Sequence, residues 1–274
     1  MNNLVNDPLS SPTQQTKPEL SKRQQTDILR LLVKLAMRLM QHHAESKLVE
    51  QTTSRMGLAL GLDSVEMALT DNAVIITSLY HGRCKTTTRR VYDRGINMHV
   101  VCEIQRLTLK AEQQQLTYQQ VNELLEAITP QKYNRWLLVV MVGLACASFS
   151  HLLGGDWQVF MMTLLASCTA MVFRQEMARR HHSLLLIFCL TAFVATLVAS
   201  QAVQYNIGNQ PELVMAASVL LLVPGFPLIN AVSDFLKGYI SIGIARWFMA
   251  TLLSFAVATG IAMALFLTGT AGWN

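Results

Sequence analysis

Apolar and polar residues alternate in two regimes along this chain. Up to about residue 130, apolar positions recur with helical or strand periods among frequent charges; beyond it they merge into long runs. Five runs stand out: Trp136 to Leu153, Trp157 to Phe173, Ser183 to Val203, Leu213 to about Ser233, and Trp247 to Thr268. Each is close to the ~17 to 25 residues that a helix needs to cross a bilayer. Residues 131–274 are therefore expected to form an all-α, five-helix transmembrane domain. Residues 21–130 predict a cytoplasmic α+β domain with helices over Asp27 to Gln41, Ser46 to Leu60, Asn97 to Gln114 and Thr117 to Ile128. In the last of these, Thr117 and Gln120 are spaced as a capping box. Between the helices the period falls to two, with Val65, Met67 and Leu69 alternating against Glu66, Ala68 and Thr70. Turns at Asp71-Asn72 and His81-Gly82 then predict a three-stranded antiparallel meander ending near Tyr92. Residues 1–20, rich in Ser, Thr, Gln, Asn and Pro, have the composition of a disordered tail.

The fourth run is broken near its middle. A helix entering at Leu213 rises roughly 16 Å by Pro224, about half of a ~30 Å hydrocarbon core, so the break is expected near the midplane. Pro224 and Pro227 lack amide protons and Gly225 tolerates unusual backbone angles. Freed carbonyls in lipid persist only where they are buried in protein or line a wet cavity. Asn230, Ser233, Asp234 and Lys237 follow at once. Broken helices with polar neighbours are where secondary transporters hold cargo; the competing reading is a proline that only bends its helix.

Charge adds an orientation. Lys132 and Arg135, then Arg174, Arg179 and Arg180, then Lys237 and Arg246 fall in every second connection, whereas Gly154 to Asp156 and Gln204 to Pro211 carry no Lys or Arg. The positive-inside rule places the N-terminal domain in the cytoplasm and Asn274 in the periplasm. Trp136, Trp157, Trp247 and Trp273 lie at run ends or beyond, as an interfacial belt predicts.

A hydrophobic share of 51% fits membrane insertion, and the net charge of +5 is too small to argue for nucleic acid. Five cysteines without a C-x-x-C spacing read as apolar fillers. Arg30, Lys34 and Arg38 recur every four residues, as a solvated stripe or a face for lipid or a partner. Arg83, Lys85, Thr87 and Arg89 share one strand face, read as exposed. His42-His43 and His181-His182 are adjacent pairs that point apart on a helix, and Glu45 and Glu50 are five apart, so no catalytic or metal set emerges. No cofactor is expected, and the chain does not read as an enzyme.

Three stretches carry a resemblance: HHAESKLVE with Glu45, Ser46 and Glu50, VYDRGINMHVV, and above all the PG-x-P-x-x-N-x-x-x-D block from Pro224 to Asp234. With a soluble α+β module ahead of the spans, the chain resembles the threonine/serine exporter family, as the YjjP-type component of its two-protein form. Single-chain members have about twice as many spans. The resemblance implies that a separate small YjjB-type membrane subunit supplies the rest, that the pair exports succinate across the bacterial inner membrane, and that the assembly is oligomeric. Export of threonine or serine is the alternative cargo, and a membrane-anchored enzyme or sensor acting through the soluble domain is the alternative class. For an exporter of small carboxylates, the substrate-binding candidates are Pro224, Gly225, Pro227, Asn230, Lys237 and Arg246, with Asp234 as the proton-coupling residue.

Overall fold

The computed structural model describes residues 20–114 and 116–269. The expected tail, apart from Leu20, and the readings of Trp273 and Asn274 lie outside the described residues. The chain forms two compact units, one holding residues up to Ala44 with Leu48–Thr129, the other Glu45–Lys47 with the residues from Pro130 on.

In the first unit α1 (Lys22–Gln41) supplies the centre of the core, with Leu31, Leu32, Leu35 and Leu39 at most 1% exposed. It begins five residues before the periodic apolar stretch because Ser21 and Gln24 form a capping box, satisfying amides that the first turn leaves bare. The remaining elements are α2 (Ser46–Ala59), whose first two residues belong to the second unit, β1 (Ser64–Thr70), β2 (Ala73–Tyr80), β3 (Arg83–Arg90), α3 (Met98–Gln114) and α4 (Tyr118–Ala127). The strands form the antiparallel sheet β1-β2-β3, with Met67 opposite Ile76 and Ile76 opposite Thr87. Thr117 and Gln120 cap α4 as the spacing predicts.

Two charged features differ from expectation. The Arg30, Lys34, Arg38 stripe is not simply solvated: Lys34 and Arg38 pair with Glu126, and Arg38 also donates to the carbonyls of Leu125 and Ile128. Two of the three cations thus hold the end of α4, where the carbonyls lack helical partners. On β3, Arg83, Lys85, Thr87 and Arg89 lie opposite Tyr80, Ser78, Ile76 and Val74, all buried; Arg83 and Arg89 are exposed as the sequence reads, whereas Lys85 and Thr87 in the middle of the face are half-buried. Lys85 reaches the Lys22 carbonyl and Thr26 at the start of α1.

The second unit contains α5 (Arg135–Leu152), α6 (Trp157–Arg179), α7 (Leu184–Gln204), α8 (Glu212–Ser218), a 3₁₀ turn at Leu220–Leu222, α9 (Gly225–Leu236) and α10 (Ile240–Thr268). Among the described residues four helices are long and apolar enough to cross a membrane, five if the pair Glu212–Leu222 and Gly225–Leu236 is one span. Side chains such as Leu137, Met141, Phe248, Phe255 and Phe266 point outward, as contact with lipid requires. Small residues set the internal spacing. Ala192, Ala195, Ala199 and Ala202 of α7 are fully buried, and a Cβ on Gly260 of α10 would lie 3.1 Å from Ala192 Cβ and collide with the Cys189 carbonyl. At one end of the helices, Asp156 caps α6 through the Gln158 and Val159 amides and accepts the Asn209 amide at 3.1 Å, tying two loops together.

The fourth run is bent by 57°. Its two prolines act differently. Pro224 is the N-cap of α9, whereas Pro227 occupies the first turn, where a missing N–H costs nothing. The break thus comes from Val223 and Pro224. Helix α10 starts seven residues before Trp247, so Arg246 and Trp247 lie within it rather than at the edge of a loop.

Candidate functional site

Two polar residues of α9, Asn230 and Asp234, share a stripe with Pro227. Pro227, Asn230 and Asp234 are spaced i, i+3, i+7, and Lys237 follows three residues later as the C-cap. The helix ends there because Gly238 adopts φ +86, and the Tyr239 amide turns back to donate to the Asp234 carbonyl at 2.8 Å. Helix α10 then returns against α9. Gly243 permits this approach: a Cβ there would meet the Phe235 ring at 2.8 Å and the Ala231 carbonyl at 3.2 Å.

That hairpin brings Arg246 onto Asp234. Arg246 Nη1 donates to Asp234 Oδ2 at 2.6 Å, with the carboxylate side chain 0% exposed and the guanidinium 10%. The other oxygen, Oδ1, accepts the backbone amide of Ser46 at 3.2 Å. Glu45, next in sequence, pairs with Lys237 in a partly exposed setting. The Ser46 hydroxyl is buried and, among the described residues, has no hydrogen-bond partner. The site therefore holds two cations, each occupied by an internal carboxylate, beside one idle hydroxyl. Removing one member of a buried pair strands the other and typically costs about 3 to 5 kcal/mol.

Asp234, Lys237 and Arg246 are thus brought together, with Asn230 one turn from Asp234. Pro224 and Gly225 are not part of this cluster: Gly225 lies nine residues from Asp234, about 13 Å along the helix. A Cβ on Gly225 would meet nothing within 4 Å. Sequence spacing assigns Glu45 a structural role, because its separation of five from Glu50 does not put the two on one helical face, and Ser46 is named only within the HHAESKLVE stretch. Glu45 instead precedes α2, and only the stretch HHAESKLVE singled it out.

The bend has its own polar contacts. In an unbroken helix the Leu221 carbonyl would accept from residue 225. Here Gly225 N–H donates to Val223 O at 2.8 Å, and Pro224 has no N–H to offer. Arg174 of α6 supplies the donor instead, its Nη1 3.4 Å from Leu221 O and its guanidinium carbon 5.0 Å from the centre of the Phe188 ring. Among the described residues, no three His, Cys, Asp or Glu side chains gather as metal ligands.

A family model described as "Putative threonine/serine exporter" matches residues 30–268. A protein of Escherichia coli (strain K12) named "Probable succinate transporter subunit YjjP" is 48% identical over 255 residues, covering 93% of this chain and 100% of that protein. A Klebsiella aerogenes protein of the same name is 46% identical over 256 residues, 93% of this chain and 99% of its own length. A Mycobacterium tuberculosis "Probable threonine/serine exporter" is 24% identical over 243 residues, 87% of this chain but 46% of that protein. No solved structure matches. The relatives' names point to transport rather than enzymatic catalysis, and the apolar helices fit a multi-pass membrane protein. The family match over most of the sequence, together with near-half identity along the full length of two relatives, makes the chain a member of the threonine/serine exporter family.

Proposed function

We propose that the protein is one subunit of an exporter of small carboxylates, succinate foremost, in the bacterial inner membrane. In this reading its N-terminal unit is cytoplasmic, its C-terminus is periplasmic, and a second small multi-span subunit of YjjB type completes the path. The observation that carries the reading is the buried Asp234–Arg246 pair beside a broken span. The word "subunit" in two relatives' names, and the 46% coverage of a longer exporter, support a missing half supplied in trans.

Arg246 presents a planar fork of donors suited to a carboxylate. Asp234 occupies it when cargo is absent. A cargo carboxylate arriving at Arg246 displaces Asp234, which then takes up the coupling proton; loss of that proton restores the internal pair and expels the cargo. Lys237, released from Glu45 in the same way, offsets a second carboxylate, which succinate has and threonine and serine lack. Asn230 contributes its amide, and the backbone from Pro224 to Pro227 opens the path.

Export of threonine or serine is the second reading, favoured by the family description. Efflux of succinate, threonine and serine from cells carrying this chain alone, the second subunit alone, or both separates the readings. Succinate efflux needing both chains is the expected result; efflux of threonine or serine but not succinate overturns the cargo, and no efflux of any of them overturns the exporter.

A further inference from the structure

We infer that Arg174, at the bend of the broken span, is a second carboxylate-binding residue of the transport path, distinct from Arg246; this rests on the exporter reading above. Arg174 lies five residues before the end of α6, about 7 Å along its axis. Its neighbours Arg179 and Arg180 are exposed, and Arg180 pairs with Glu176. Arg174 is different: among the described residues no carboxylate lies within ion-pair distance of it. A guanidinium has five N–H donors. Here it makes one long hydrogen bond, to Leu221 O at 3.4 Å, and is flanked by the Phe188 ring, itself 6% exposed.

The helix geometry argues against simple escape to water. Cα–Cβ bonds tilt toward a helix's N-terminus, so the Arg174 stem sets off toward the middle of α6, away from its near end at Arg179. A snorkelling side chain would leave in the other direction. Arg174 is half-buried rather than enclosed, so its remaining donors stay open to an incoming group, and a carboxylate engaging the fork bidentately supplies the counter-charge that the described residues do not. The Leu221 carbonyl is a placeholder at the long limit of a hydrogen bond, available only because the break withdrew its helical donor. Cargo therefore meets a guanidinium twice, once at the bend with no internal competitor and once at Arg246 in competition with Asp234.

The test uses the intact chain in phosphatidylcholine nanodiscs, alone and with the second subunit, following thermal unfolding against succinate concentration for the native protein, Arg174→Lys, Arg174→Gln and Arg246→Gln. The expected result is stabilisation by succinate whose midpoint concentration rises roughly tenfold or more in Arg174→Gln, as loss of a charge-assisted hydrogen bond implies, and by less in Arg174→Lys. A structural role alone shifts the ligand-free unfolding temperature of Arg174→Gln and leaves the midpoint unchanged, and that outcome overturns the inference. If the midpoint responds to Arg246→Gln but not to Arg174→Gln, the exporter reading stands and only this site falls. No response of the native protein to succinate overturns both. Repeating the series with phosphatidylglycerol distinguishes a lipid phosphate: an Arg174-dependent rise with that lipid and none with succinate overturns the assignment to cargo.

Discussion

Arg55–Glu112 in the first unit and Arg246–Asp234 in the second are the same chemical pair in opposite surroundings. The side chains of the former are 50% and 30% exposed; those of the latter are 10% and 0%. Water competes for every partner in the first case, so the pair is worth little. In the second, water is largely withdrawn from both groups, so the pair is costly to break. What marks a site here is the withdrawal of solvent from a charge, not the presence of charge.

The comparison breaks first at Arg246. Arg246→Gln is expected to lower stability by about 3 to 5 kcal/mol, because it leaves the buried Asp234 carboxylate without its counter-charge, measured by detergent-phase unfolding. A loss no larger than that of an exposed pair would refute the contrast. Next, Gly243→Ala leaves every charge in place but forces α10 off the Phe235 ring, and about 1 to 3 kcal/mol is expected from such overpacking. Efflux should fall with it if the hairpin holds the pair in register. Arg55→Gln, by contrast, is expected to cost only about 0 to 1 kcal/mol, and less in high salt.

Acid sharpens the same contrast at its weak end. The hydrogen bond from Arg55 holds the Glu112 carboxyl below its usual range, that from Lys34 does so for Glu126, and that from His43 for Asp93. A carboxyl depressed by folding adds stability that is fully present above its unfolded value, near ~4, and is lost as pH falls through the folded one. Unfolding of the first unit, followed from pH 7 downward, should thus stay level until the carboxylate range and then weaken; weakening that begins near neutrality would contradict these assignments.

Much of the fold was legible because local chemistry decides it. The meander sits within a residue or two of its turn signals, Thr117 and Gln120 cap α4, and the break falls at Pro224. Other features depend on contacts that spacing does not encode. The start of α1 was hidden because Ser21 and Gln24 act before any apolar period begins at Ile28. Arg246 looked like the edge of a loop, since a charge interrupts an apolar run; in the structure Asp234 compensates it and the helix continues through. Asp234, Lys237 and Arg246 were picked out as charges near a break, but Glu45 and Ser46 join them from nearly two hundred residues away, where no periodicity connects the two segments. Pro227 carries the same residue signal as Pro224 and has the opposite consequence, because position within the first turn decides whether a missing N–H matters.

In the proposed transport cycle Asp234 alternates with cargo for Arg246. Succinate efflux by Asp234→Asn, in cells that also supply the second subunit and at native membrane levels, tests it most directly. Asparagine keeps the shape but gives up the charge and the proton, so efflux is predicted to fall by roughly tenfold or more, as the loss of a charged hydrogen bond in a desolvated site implies. Efflux at the native rate would contradict the exchange and leave the pair as structure alone.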